Sequence, residues 1–392
     1  MYYIESLKEQ AIQKLFIAKI KVLMTKIIYV FANNRKENYQ KNHVEAKDFY
    51  YGLHAFEDEK EYDIDIIELS NDESNKNYFL KFIDRFFQKI LSLPFYSSQV
   101  TSLKNLNKFQ KADKIIMVNE SVGCSMLIIL IILKIFKKVK VSLFVMGLYS
   151  KHLRFPILRF AHNFFIRFTV YFIDNMFFLG NGELKKAKKI HKNHDKLIYF
   201  PFCVDTEFWK HDINKQSMKQ NDIIFVGNDS QRNFDLLIQI AKELPNYKFI
   251  FVSNNSKLDG IKLTNVKCIK GSWKEKDLSD SDLKNLYTSS KVSIIPLHNS
   301  TQPSGQSVAL QSMSLGIPVL ISNTEGFWDK DLFEHEKDLV FVDPSDLRNW
   351  VLQIESIIND ESKQGKIVAN AKNKVLSNYN LHQFHKNLLK YF

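Results

Sequence analysis

Small and amide residues stand close together in residues 304–311, which read SGQSVALQ. Ser304, Gly305 and Ser307 open a segment with helical character, and small residues there leave the first backbone N–H groups of a helix accessible to an anion. Ser307 and Gln311 are four residues apart, so they share one face of that helix. A phosphate at the helix N-terminus and a hydroxylated group beside Gln311 would together form a nucleotide site.

The flanking elements would place this segment at the edge of a parallel sheet. Residues 291–297 (KVSIIPL) and 318–322 (PVLIS) are short apolar runs typical of buried strands. The helix between them has Ser304 as its expected N-cap and Leu315 as its last residue before Gly316. This order predicts a βαβ unit, and ligands bind at the carboxyl ends of strands in such sheets. A buried crossover that binds no ligand is the alternative.

A second strand, loop and helix occupy residues 222–244, where Gly227 ends the strand and Arg232 stands at the helix start. A guanidinium suits a bidentate grip on phosphate and remains charged at neutral pH. Strand patterns at residues 26–35, 62–70 and 111–120 predict a Rossmann-like unit in the first half as well. No GxGxxG follows any of these strands, which disfavours a dinucleotide dehydrogenase.

Residues 305–319 (GQSVALQSMSLGIPV) resemble the donor-binding segment of GT-B glycosyltransferases of family 4, also called group 1. The resemblance continues over residues 198–210 (IYFPFCVDTEFWK) and over the acidic turn and Asp-Pro pattern of residues 323–354, and it is architectural before residue 198. It implies an α/β protein with two Rossmann-like domains facing across a cleft. Where the family usually has an acidic and a basic residue, this chain has Gln311 and Asn228.

The resemblance implies retaining transfer of a sugar from a nucleotide-sugar donor to an acceptor hydroxyl, without a metal ion or other cofactor. Arg232 would compensate the charge of the departing diphosphate, and Trp273 would stack on the base unless it is merely packed. Glu120, at the end of a first-half strand, is the carboxylate expected to face the cleft. The expected donor contacts are Gly227, Asn228, Arg232, Trp273, Ser304, Gly305, Gln306, Ser307 and Gln311.

The same pattern divides the chain into three parts. Residues 1–203 are expected to form the acceptor-binding domain and residues 204–375 the donor-binding domain, followed by a terminal helix (376–392) that crosses back to the first domain. The acceptor would be a glycan or lipid-linked precursor.

Charge and aromatic content suggest where the protein works. Lys and Arg number 55 against 43 acidic residues, a net charge of +12, which favours an anionic partner. Residues 152–178 interleave aromatic residues with arginines, and residues 1–26 have the pattern of a basic amphipathic helix. Each is either a membrane-facing surface or an ordinary packed helix. Nucleic-acid binding would rest on charge alone and is not predicted.

Metal and disulfide chemistry are not expected. Asp63 and Asp65 form a DxD tripeptide, but so short a motif is weak evidence for a metal site. The three cysteines are far apart, which suits a reducing cytoplasm, with peripheral attachment to the inner face of the cell membrane. Two other hypotheses remain: a GT-B nucleotide-sugar epimerase, and a non-catalytic GT-B-like protein that binds a membrane surface.

Overall fold

The structure is a computed structural model that describes residues 24–32, 34–41, 45–69, 78–91, 93–136, 139–150, 155–211, 220–271 and 278–392. The predicted basic helix at the N-terminus lies almost entirely outside these residues, and so does Trp273. Within the described ranges, every helix is too short or too polar to cross a membrane.

Two six-stranded parallel sheets form the framework, one in each half of the chain. Their central strands are apolar runs buried on both faces, as parallel sheets covered by helices require. The first sheet contains β1 (Thr25–Phe31), β2 (Tyr62–Glu68), β3 (Lys114–Met117), β4 (Lys140–Val145), β5 (Asn175–Phe178) and β6 (Leu197–Tyr199). The second contains β7 (Asn221–Val226), β8 (Phe249–Val252), β9 (Val266–Ile269), β10 (Ser290–Ile295), β11 (Val319–Ser322) and β12 (Val340–Val342).

Helices cover both faces of the two sheets. Those of the first half are α1 (Arg35–Gln40), α2 (Leu53–Glu57), α3 (Tyr78–Leu91), α4 (Leu103–Gln110), α5 (Glu120–Ser125), α6 (Leu127–Phe136), α7 (Pro156–Tyr171) and α8 (Asn181–Ile190). Those of the second half are α9 (Phe234–Glu243), α10 (Asp280–Thr288), α11 (Gln306–Ser314), α12 (Leu347–Asn359), α13 (Glu361–Asn378) and α14 (Leu381–Leu389). The two-domain Rossmann-like architecture expected from the sequence is therefore confirmed.

Strand order defines one switch point in each sheet, where the chain changes its direction of travel across the sheet. The first sheet has the order β2-β1-β3-β4-β5-β6, so its switch point lies between β1 and β3. The second has the order β12-β11-β10-β7-β8-β9, with its switch point between β7 and β10. In open α/β sheets the crevice beyond the carboxyl ends of such strands is the ligand site.

The end of the chain returns to the first half. The ring of Phe384 on α14 stacks against Phe144 of β4, with 5.8 Å between ring centroids. His385 Nε2 lies 2.8 Å from the Glu59 carboxylate, and the Lys114 ammonium donates to the backbone oxygen of Phe392. The terminal helix α14 thus connects the end of the chain to the first sheet. The exact domain boundary at residue 203 stays a prediction.

Candidate donor site

An open cleft of about 670 Å³ lies at the switch point of the second sheet. Most of its wall comes from the loop after β7, the start of α10 and the start of α11, with Val252 at the end of β8 and Gly271 just after β9. The opposite wall belongs to the first domain, which contributes Asn38, Glu45 and Phe49. Of the residues expected to contact a donor, Gly227, Asn228, Arg232 and Ser307 line this cleft.

Arg232 is the one cation among the described residues that line the cleft. Its side chain is only 4% exposed, although it borders the open space. Nη1 donates a hydrogen bond to Ser304 Oγ at 3.3 Å, and Nε lies 3.4 Å from a carboxylate oxygen of Asp229. That Nε makes no well-aligned hydrogen bond within the described residues. A guanidinium with an unused donor in a cleft is suited to hold an anion.

Two glycines make room for this guanidinium. A Cβ atom at residue 227 would overlap Arg232 Nε, and one at residue 305 would press on Arg232 Nη1. Gly305 also has φ of +79°, a left-handed conformation that favours glycine. The side chain of Arg232 therefore lies in a trough that only glycines at both positions allow.

The start of α11 differs from the sequence-based expectation. Ser304 was expected to cap the helix, but the N-cap is Gly305, which provides no side chain. The Ser304 hydroxyl instead accepts from Arg232 and donates to Asp229 Oδ1 at 2.9 Å. The first N–H groups of α11, at Gln306 and Ser307, therefore have no capping side chain. With the helix dipole, they provide a second element suited to an anion.

Gln306, the first residue of α11, is buried. Its amide nitrogen has no hydrogen-bond partner in the part of the chain that the structure describes. A buried amide N–H without a partner is costly, so a ligand oxygen at this point would restore a lost interaction.

Asn228 has a supporting role in the arrangement seen here. Its amide nitrogen donates to the Gly271 carbonyl at 2.8 Å. Its amide oxygen accepts from the Ser253 hydroxyl at 2.9 Å and the Asn254 backbone N–H at 2.6 Å. Asn228 thus joins the loops that follow β7, β8 and β9, and fixes the floor of the cleft.

Gln311 lies behind the cleft. It is 2% exposed, and its amide nitrogen donates to Asp48 Oδ2 of the first domain at 2.8 Å. Trp209 Nε1 donates to the same oxygen at 2.7 Å, and the Asp205 N–H donates to the other at 2.5 Å. Burial raises the pKa of Asp48 to about 7, while these three donors oppose the rise. The structure places Gln311 in a buried link between the domains.

Glu120 lies at the carboxyl edge of the first sheet and does not line the cleft. Its Oε2 accepts from the Met146 N–H at 3.3 Å, in the loop after β4. That loop meets the second domain directly, since the Ser150 and Thr301 hydroxyls are 3.1 Å apart and a Cβ at Gly147 would press on Gln302.

Glu183, which the sequence did not single out, holds the same loop. Its Oε1 accepts from the N–H groups of Gly147 and Tyr149 at 3.0 and 2.9 Å. It is fully buried, and burial raises its pKa to about 8. No hydrogen-bond partner of Oε2 exists among the described residues.

Asp280 and Glu45 were also missed as cleft residues. Asp280 Oδ2 accepts from the Ala46 N–H at 3.3 Å, and Glu45 accepts from the Ser281 N–H at 2.7 Å. Burial raises the pKa of Asp280 to about 6. The sequence held no signal for a contact of these two residues across the domains.

The two aspartates of the DxD tripeptide are paired with lysines. Asp63 lies 3.1 Å from the Lys26 ammonium, and Asp65 lies 2.7 Å from that of Lys108. Within the described ranges, no group of three or more His, Cys, Asp or Glu side chains is arranged to hold a metal ion.

Comparison with solved structures identifies the fold. Sucrose-phosphate synthase from Thermosynechococcus elongatus has a TM-score of 0.68 at 13% identity, over 93% of this chain and 98% of that one. HepE from Anabaena, in complex with UDP and glucose, has a TM-score of 0.64 at 13% identity, with the same coverage. A glycosyltransferase from Rickettsia africae has a TM-score of 0.59 at 15% identity, over 94% and 98% of the chains. The fold is that of the GT-B glycosyltransferases.

A family model matches the sequence of the second domain. Residues 205–374 match the model of the family described as glycosyl transferases group 1. The chain therefore has the GT-B fold, with a match to group 1 over residues 205–374, and the resemblance noted from residues 305–319 is confirmed. No curated protein sequence matches the chain significantly.

Proposed function

We propose that this glycosyltransferase transfers a sugar from a nucleotide-sugar, with retention of anomeric configuration and without a metal ion, to a hydroxyl of a lipid-linked or surface-glycan precursor. The observation that carries the proposal is Arg232, buried in a glycine-walled trough beside an open cleft at a sheet switch point. A fixed cation at this position can neutralise a diphosphate that would otherwise need a divalent metal.

The donor's diphosphate would lie between the Arg232 guanidinium and the first N–H groups of α11. As the sugar leaves, negative charge grows on the diphosphate, and both elements stabilise that charge more strongly than they stabilise the intact donor. Ser304 and Asp229 hold the guanidinium in place. The Gln306 amide provides an unused donor near the helix start.

The base and ribose would occupy the part of the cleft floored by the loops that Asn228 joins, with Phe49 and Glu45 opposite. HepE structures contain UDP and UDP-glucose, so uridine donors are the first to test. The acceptor would approach from the first-domain side, near Glu120. In a retaining transfer the leaving phosphate can itself take the acceptor proton, so the mechanism does not require Glu120 as a base.

The test is thermal stability of the purified protein with UDP, GDP, ADP and CDP, each with and without EDTA. A nucleotide that binds only the folded state raises the melting temperature. At a concentration of a hundred times Kd it adds about 2.7 kcal/mol to the free energy of unfolding. We expect one nucleotide to do so equally with EDTA, and Arg232→Ala to abolish the shift. Lys242→Ala, on the same domain at the far end of α9, is the matched control and should retain it.

Other outcomes select the competing hypotheses. If one nucleotide stabilises the protein and the corresponding nucleotide-sugar is converted to its epimer in the absence of any acceptor, the protein is an epimerase. Vesicle binding without a shift from any of the four nucleotides would leave a membrane-surface binding protein. A shift that disappears with EDTA would contradict the metal-independent mechanism.

A further inference from the structure

The surfaces of α3 and α7 expose unusually many large apolar side chains. On α3, Phe79 is 70% exposed and Phe82 is 67% exposed. On α7, Phe160 and Phe164 are 71% and 64% exposed, and Tyr171 at its end is 75% exposed. Soluble proteins rarely leave such rows in water, so they mark an interaction surface.

The exposed rings belong to two neighbouring helices. On α7, residues 157, 160, 164, 168 and 171 recur at intervals of three and four, which is a single stripe along the helix. The two helices pack side by side through Phe87 and Phe165, whose ring centroids are 4.8 Å apart. We call the outward surface of these two helices the α3–α7 face. Since α7 has sixteen residues, the face is about 24 Å long.

Every charged side chain exposed on the α3–α7 face is basic. The exposed positions of α3 between its rings are Lys81, Arg85 and Lys89, and those of α7 are Arg159 and Arg167. The sequence of α7 contains no acidic residue. A protein partner of average composition would not require this one-sided pattern, but an anionic surface would.

The acid of α3 is turned away from this face. Asp84 is 5% exposed and accepts four hydrogen bonds, from the backbone N–H groups and hydroxyls of Ser97 and Ser98. These bonds anchor α3 to the body of the domain and leave its aromatic and basic residues outward. The orientation of the face is therefore fixed by the fold.

We propose that the α3–α7 face docks the first domain on an anionic lipid bilayer. Phe and Tyr side chains would enter the boundary between headgroups and acyl chains, while the arginines and lysines reach the headgroup phosphates. The loop after β4, which leads to α7, also contacts the second domain through Ser150 and Thr301. An acceptor held in the bilayer would thus reach the first domain near the cleft. The inference rests on the proposed lipid-linked acceptor.

The experiment is flotation of the full-length protein with vesicles of phosphatidylcholine alone or with 30% phosphatidylglycerol, a probe composition on the order of the anionic fraction that basic surfaces recognise. We expect binding to the anionic vesicles only, weakened in high salt. Phe160→Glu combined with Phe164→Glu should reduce the bound fraction by about tenfold or more, because it adds two negative charges to the face. Lys81→Glu with Arg85→Glu should act in the same direction.

The matched control is Leu352→Glu combined with Leu376→Glu. These residues are also exposed, at 54% and 43%, but lie on α12 and α13 of the second domain. The control should float like the unchanged protein. The proposal is overturned if the unchanged protein does not float, if the Phe160/Phe164 variant floats equally well, or if the control loses binding to the same extent. It is also overturned if sedimentation shows a dimer that the Phe160/Phe164 variant dissociates.

Nucleotide-dependent stabilisation, measured on the same samples, separates the two proposals. A protein that responds to a nucleotide but does not float retains the proposed transfer and refutes the docking face. A protein that floats without responding to any nucleotide retains the face and refutes the transfer. The Phe160/Phe164 variant should keep the melting temperature and nucleotide response of the unchanged protein, which shows that its loss of flotation is not a loss of fold.

Discussion

The switch points of the two sheets use different means to prepare a site. In the second domain, Gly227 and Gly305 open a trough for Arg232, and all three residues lie in the two loops at the switch point itself. In the first domain, the loop after β1 contains no glycine, and Asn34 takes the left-handed conformation with φ of 60°. In the second domain, therefore, two neighbouring loops pack on one side chain and fix its position.

The first domain contributes through contacts between distant parts of the chain. Asp48, which follows α1, accepts a hydrogen bond from Gln311, 263 residues further along the chain. Glu45 and Ala46 contact the start of α10. One wall of the cleft therefore depends on local chain geometry, whereas the other depends on how the domains close. Substitutions in the two regions should therefore fail in different ways.

The largest effect is expected from Gly227→Ala. The added methyl group would overlap Arg232 Nε, so the guanidinium must leave its trough. A charge-assisted hydrogen bond contributes about 1.5–3 kcal/mol, so the affinity for the stabilising nucleoside diphosphate should fall by about ten- to a hundredfold. Isothermal titration would measure this loss.

Gly365→Ala is the control for the trough. Gly365 lies within α13, and a Cβ there would meet no atom within 4 Å. This variant should bind the nucleotide as the unchanged protein does and gain about 0.5–1 kcal/mol of stability from its helix propensity. Unchanged affinity in Gly227→Ala would show that the trough does not position the cation for the donor.

An intermediate effect is expected from Gln311→Glu, which tests the contact between domains. A carboxylate at residue 311 would face the buried Asp48 carboxyl, and two like charges cannot both remain ionised there. We expect a loss of about 3 kcal/mol in the free energy of unfolding at pH 8, measured by urea denaturation. The loss should shrink at pH 5, below the raised pKa of Asp48 of about 7, since both carboxyls can then be protonated.

Exchange of the two groups sharpens this test. In the double variant Asp48→Asn, Gln311→Glu, an amide again faces a carboxylate. We expect it to recover part of the lost stability, but not all, because the amide NH2 introduced at residue 48 would stand where Asp48 Oδ2 accepts from the Trp209 indole N–H, which then loses its acceptor. A double variant no more stable than Gln311→Glu would show that the pair is not what the substitution disrupts.

The sequence predicted the donor half well because its features are local. Gly227, Arg232 and α11 belong to strand–loop–helix patterns within about thirty residues, the scale of a βαβ unit. The error at Ser304 arose because Gly305 adopts positive φ and becomes the N-cap itself. The serine hydroxyl was then available to bind Arg232 and Asp229.

The first-domain contribution was not predictable in this way. Asp48 and Glu183 are fully buried carboxyls in polar stretches, where composition alone indicates a solvated surface. Their partners become neighbours only when the two sheets are in place. The Gln311 amide illustrates the same point, because its departure from the family's usual acid has a physical reason only once Asp48 is seen beside it.

The smallest effect is expected from Glu183→Gln, at the carboxyl edge of the first sheet. Gln keeps an oxygen for the N–H groups of Gly147 and Tyr149, so stability near pH 5 should stay within about 1 kcal/mol of the unchanged protein. What changes is the dependence on pH. Burial raises the pKa of Glu183 to about 8, whereas an unfolded Glu has a pKa of about 4.3. Between these values the folded state holds a proton that the unfolded state has lost.

In that window, stability of the unchanged protein falls as pH rises, by at most about 1.4 kcal/mol per pH unit for one proton. Glu183→Gln lacks this contribution, so its stability relative to the unchanged protein should increase from pH 5 to pH 8. Urea denaturation at pH 5, 6.5 and 8 would measure the trend, with Glu361→Gln on the exposed start of α13 as the control. Parallel profiles for Glu183→Gln and the unchanged protein would mean that Glu183 is ionised in the fold. The loop after β4 would then be held by a carboxylate, and the edge facing the second domain would carry a buried negative charge.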